Sequence, residues 1–97
     1  MVVDAMKISF TRRFIRSYDK LPKSIQSLFD DKLYQFMDNW RHPSFRSHEL
    51  GGTDGVWSAS LNMSIRFTFR FEEETEGTTV CVLRNIGDHD HTMRPPY

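Results

Sequence analysis

Two kinds of side chain give this sequence its chemistry: imidazoles that move protons and guanidiniums that hold anions. Histidine titrates close to neutral pH, so His48 and His89 can each give or accept a proton. Arg66 can meet a phosphate with two parallel hydrogen bonds, and Arg70 can hold a neighbouring one. Glu49, beside His48, is another candidate base, and Trp57 offers a surface on which a nucleobase could stack. Each has a plainer reading. The arginines could be solvated strand charges or partners of carboxylates, and the histidines loop or capping residues. Glu49 could be merely solvated, and Trp57 part of the core or its rim. Asp88, His89, Asp90 and His91 are proper metal-ligand types, and alternate members share a face if the segment is extended. A metal site needs more convergent ligands, and His42 and His48 lie far off in the chain. Neither a metal nor another cofactor is expected.

These side chains depend on the elements that carry them. Residues 6–10 alternate apolar and polar and predict a strand. Met6 reads as a natural start, with residues 1–5 a short extension. Thr11 is a candidate N-cap for a helix through about Lys20, with Phe14, Tyr18 and Leu21 on one face. Pro22 suits the first turn of a second helix. Ile25, Leu28, Phe29, Leu33, Phe36, Met37 and Trp40 keep helical spacing through to Arg41, where His42-Pro43 stops it. Residues 43–55 read as a loop, and residues 56–62 as a strand that turns at Asn62-Met63-Ser64.

Residues 65–72 alternate strictly, with Ile65, Phe67, Phe69 and Phe71 on one face and Arg66, Thr68 and Arg70 on the other. An acidic loop follows, then a central strand at 79–86, apolar on both faces. Residues 87–97 form a polar tail. The order is β-α-α-β-β-β. It predicts one α+β domain, with a helical hairpin on one face of an antiparallel sheet and the other face partly open.

Ninety-seven residues suffice for one domain with a modest core. The 38% hydrophobic and 27% charged residues suit a globular chain and not a disordered one. No apolar run approaches a membrane span, no signal-like segment opens the chain, and the lone Cys81 fits a reducing compartment; a cytoplasmic protein is expected. Net charge is zero, unlike most nucleic-acid binders. The charge is uneven, with nine Lys/Arg against six Asp/Glu in residues 1–50 and four against seven in residues 51–97. A polyanion site must come from local clustering.

The set of motifs resembles the RelE/ParE toxin superfamily. It comprises Leu21-Pro22-Lys23 between two helices, His-Pro-Ser-Phe-Arg-Ser-His-Glu-Leu at 42–50, and Trp57-Ser58 opening a strand. Arg66 lies nine residues after Trp57, and Ile86-Gly87-Asp88-His89-Asp90 closes the last strand. The resemblance runs from about Met6 to His91. It implies a type II toxin held by a cognate antitoxin protein. RelE-like and YafQ-like members cut messenger RNA on the ribosome without a metal, whereas ParE-like members poison DNA gyrase by binding.

On the nuclease branch, Arg66 would stabilise the phosphate. His89 would act as general acid or base, and His48 as the second proton-transfer or positioning group. Arg70, Trp57 and Glu49 would contact substrate. Arg12, Arg13 and Arg16 on the first helix, with the Gly/Asp-rich loop, are candidate antitoxin contacts. The chain departs from the nuclease pattern in places. Ala59 and Ser60 stand where several members carry a basic or catalytic side chain, and Leu61 and Ile65 where YafQ-like members have histidine and aspartate. Met93 replaces a frequent aromatic, unless Tyr97 folds back to supply it. The rival readings are a gyrase inhibitor and a degenerate, non-toxic antitoxin-binding module.

Overall fold

Thr11 begins the helical layer as expected: its Oγ1 accepts from the Phe14 N–H at 3.1 Å and starts α1 (Arg12–Asp19). The computed structural model describes residues 6–75 and 77–97, so the expected extension at 1–5 lies outside the described residues. Pro22 occupies the N-cap of α2 (Lys23–Asp38), so its missing N–H costs no helical bond. The Tyr18 hydroxyl donates to Asp30 Oδ1 at 2.6 Å and ties the two helices together. That carboxylate partner, with some burial, pushes the phenol up to about 12. α2 ends short of Arg41, because Asn39 leaves the helical region at φ −151°. His42 then caps a single 3₁₀ turn, Pro43–Phe45, its Nδ1 accepting from the Ser44 N–H at 3.1 Å.

Among the described residues the sheet has five strands: β1 (Lys7–Phe10), β2 (His48–Glu49), β3 (Val56–Ser60), β4 (Ile65–Thr75) and β5 (Thr78–Asp88). Their spatial order is β1-β5-β4-β3-β2. β3, β4 and β5 form the expected antiparallel meander, but β1 joins β5 in parallel, so the sheet is mixed. The direction of β1 was not readable, because no local turn dictates how strands so far apart in sequence pair. β2 lies within the expected loop. It is two residues long, too short to show an alternating pattern, and it pairs His48 with Ser58 and Glu49 with Trp57.

Thr68 pairs with Asn85 and Phe69 with Leu83, which leaves Arg84 as an extra residue on β5. This bulge resets the side-chain alternation, so Leu83 and Ile86 are both buried although they lie three apart. A four-residue helix, α3 (His89–Thr92), follows β5 directly.

Phe36 centres the core between α2 and the sheet. Its ring centroid lies 5.4 Å from Phe45, 5.1 Å from Phe67 and 5.0 Å from Phe69. Cys81 is fully buried among these apolar groups, and desolvation pushes its thiol up to about 12. It is therefore neutral, and a poor nucleophile, at pH 7. No helix among the described residues is long and apolar enough to cross a membrane.

Candidate functional site

The face of the sheet opposite α2 carries several of the candidate residues in rows fixed by strand register. It is less open than expected, because α3 packs against β4 and β5 and Ser58, Thr68 and Asn85 are fully buried. One row runs His48–Ser58–Thr68–Asn85 across β2, β3, β4 and β5. The next runs Ser60–Arg66–Gly87. His48 and Arg66 thus flank the same strand, opposite Ser58 and Ser60, toward one corner of the same sheet face. His89 follows Gly87 by two residues, just beyond the row that holds Arg66.

The corner is organised by backbone carbonyls. Arg66 Nη1 donates to Asn62 O at 2.9 Å, which turns the guanidinium toward the β3–β4 turn. That turn is held by Asn62, whose Oδ1 accepts from the Ser64 and Ile65 N–H groups at 2.8 and 2.7 Å. His48 Nδ1 lies 3.0 Å from Arg46 O. A carbonyl can only accept, so Nδ1 carries the proton and Nε2 of the neutral ring is free to take one. Arg46 sits in the left-handed region at φ 47°, a conformation that costs an L residue about 1–2 kcal/mol. It follows the 3₁₀ turn, where its N–H donates to Pro43 O at 3.1 Å. Lys32, Arg46 and Arg66 line one cleft of about 230 Å³. Lys32 and Arg46 did not stand out in the sequence. Lys32 is one of many helix charges, and nothing in residue spacing marks an arginine for the left-handed region.

The other candidates scatter. Arg70 is on the face of Arg66 but four residues away, about 13 Å along the strand. Its Nη2 pairs with Asp54 Oδ2 at 3.4 Å. Trp57 lies on the helical side, with ring centroids 5.0 Å from Trp40 and 6.4 Å from Phe69. The Arg41 guanidinium covers this pair, 4.5 Å from the Trp40 ring and 5.8 Å from the Trp57 ring. Glu49 pairs with Trp57 and so faces away from His48; it is exposed.

His89 opens α3 and is exposed; its Nδ1 lies 3.7 Å from Asp90 Oδ1. The ordered histidine is His91. Its Nε2 lies 3.1 Å from Ser17 Oγ and 3.1 Å from Asn85 Oδ1, joining α3 to α1 and β5. Its ring rests on Gly87, where an added Cβ would stand 2.5 Å from His91 Cδ2. The glycine of the Ile-Gly-x-His-Asp motif thus makes room for this ring. The tail folds back beside α1: Arg13 Nη1 donates to Pro96 O, and Arg84 Nε donates to Tyr97 O at 2.8 Å. Arg12 and Arg16 are exposed on α1. No group of three or more potential metal ligands converges among the described residues.

No protein-family model matches the sequence, and no curated protein matches it at a significant level. Solved structures match over nearly the whole chain. The E. coli DinJ–YafQ toxin–antitoxin complex includes a chain of 10% identity and TM-score 0.72, covering 94% of this chain and 100% of its own. The YoeB/ParE toxin from Agrobacterium tumefaciens is 16% identical at TM-score 0.69, covering 87% of this chain and 99% of its own. The intact E. coli RelBE toxin–antitoxin complex gives 19% identity and TM-score 0.65, covering 87% and 96%. The chain has the RelE/ParE toxin fold.

Proposed function

We propose that this chain is the toxin of a type II toxin–antitoxin pair and that it cuts messenger RNA on the ribosome without a metal. The observation that carries the reading is the shared corner of Arg66 and His48 on either side of β3. Cleavage of this kind attacks phosphorus with the adjacent 2′-hydroxyl. His48, with Nε2 free, takes the hydroxyl proton. Arg66 spends one nitrogen on Asn62 O and offers the rest of its fork to the crowded phosphate. His89, exposed just past the row of Arg66, returns a proton to the leaving 5′-oxygen.

The cognate antitoxin is the partner of this reading. A groove of about 300 Å³ between the helices, where Phe10 and Ile15 are exposed, suits an apolar segment of it.

The test is induction in bacteria without antitoxin, with transcript 5′ ends mapped minutes later. Cuts inside translated codons are expected, lost in Arg66→Ala and in His89→Ala. An equally toxic Arg66→Ala would sink the reading. A gyrase inhibitor acting by binding is the second reading, favoured by Ala59, Ser60, Leu61 and Ile65 at positions where, by the resemblance, nuclease members carry other, reactive side chains. Growth arrest with DNA breaks and intact transcripts would establish it instead.

A further inference from the structure

Like charges repel, and this chain has as many acidic side chains as basic ones, 13 of each. Yet Lys32, Arg46 and Arg66 line one cleft, with Ser44, Ser60 and Asn62 and without a carboxylate. Among the described residues none of the three is in an ion pair, whereas Lys7 and Arg70 are paired with Glu74 and Asp54. Two of the cations are fixed in place. Lys32 Nζ donates to Leu61 O at 3.2 Å and Arg66 Nη1 to Asn62 O at 2.9 Å, consecutive carbonyls of the β3–β4 turn. Their mutual repulsion is therefore built in, and an anion relieves it. The chain's one run of consecutive glutamates lies elsewhere, at the far end of β4 in Glu72, Glu73 and Glu74.

We propose that the Lys32 and Arg46 part of this cleft is a second phosphate site, holding a phosphodiester that is not cut, next along a single RNA strand from the one that Arg66 meets. Three cations and two serine hydroxyls exceed what one carboxylate would satisfy, and a polynucleotide supplies charge at regular spacing. The cleft is continuous with the candidate chemistry, since Arg46 O holds His48 Nδ1. That the ligand is RNA rests on the nuclease reading; that it is an anion rests on the cleft alone.

The experiment titrates the full chain with a fluorescent single-stranded 2′-deoxy decanucleotide, which cannot be cut through a 2′-hydroxyl, over a salt series. Lys32→Gln and Arg46→Gln should each flatten the plot of log K against log salt by about 0.7, the release expected for one single-strand phosphate contact. Lys32→Arg should restore the wild-type slope. Arg12→Gln and Arg16→Gln, on α1, should leave it unchanged. Unchanged slopes in the cleft variants, or equal flattening by the α1 variants, would overturn the site. So would weakened capture of an acidic antitoxin peptide with the oligonucleotide slopes intact. The expected slope changes in the variants, together with a wild type that cuts no transcript, would keep the cleft and remove the nuclease reading.

Discussion

The two sides of the sheet follow opposite rules. On the helical side Phe29, Phe36, Phe45, Phe67 and Phe69 are buried in mutual contact, with no polar atom among their side chains. On the other side, in the same strands, Ser58, Thr68 and Asn85 are register partners and are also fully buried. Among the described residues, Ser58 Oγ, Thr68 Oγ1 and Asn85 Nδ2 have no hydrogen-bond partner. A buried, unpaired polar group costs about 1–3 kcal/mol. Stability is concentrated on the aromatic side. The second side carries polar groups at a cost to folding, and its row continues into His48.

The largest test of this contrast is Phe36→Ala. Phe36 is fully buried and packs against three other rings, so its truncation should cost about 3–5 kcal/mol. Urea unfolding followed by circular dichroism measures it. A loss below about 1 kcal/mol would mean that the aromatic side does not dominate stability.

A middle-sized effect lies at the seam, where α3 is pinned to α1 and β5. Gly87→Ala would push the His91 ring off its bonds to Ser17 and Asn85, at a cost of about 1–3 kcal/mol. No left-handed backbone accounts for this glycine, so the whole penalty should pass through His91. In a His91→Ala background, Gly87→Ala should therefore add almost nothing. Strict additivity of the two losses in a double-mutant cycle would show that the ring is not the reason for the glycine.

The readable parts of this molecule are those whose pattern is local. The helical hairpin shows in the spacing from Ile25 to Phe36 and in Pro22, and β4 in the strict alternation of Ile65 to Phe71. Arg66 was legible as a strand residue opposite the phenylalanines, because period two dictates it. What surrounds Arg66 was not. Its cleft brings Lys32 of α2 and the left-handed Arg46 to a turn, and no single window of sequence contains all three. The parallel pairing of β1 and the bulge at Arg84 are likewise products of tertiary context. Trp57 was legible as an aromatic strand residue, but which face it takes follows from its pairing with Phe69. His91 was read only as a possible metal ligand, because its partners, Ser17 and Asn85, come from separate elements.

The smallest effect is the sharpest test of the second face. Thr68→Val keeps the shape of the side chain and removes a buried hydroxyl that has no partner. If the row is polar at a cost to folding, the variant should be as stable as the parent or more so, by up to about 1 kcal/mol. β-branching is preserved, so strand preference should not confuse the result. A loss of more than about 1 kcal/mol in urea unfolding would mean that the hydroxyl has a bonded role, and the contrast between the faces would fail at its centre. A gain in stability with the proposed toxicity intact would separate the row from the chemistry proposed at Arg66. A gain with toxicity lost would instead place Thr68 among the groups that set the geometry of His48 and Arg66, its neighbours across β3 and along β4.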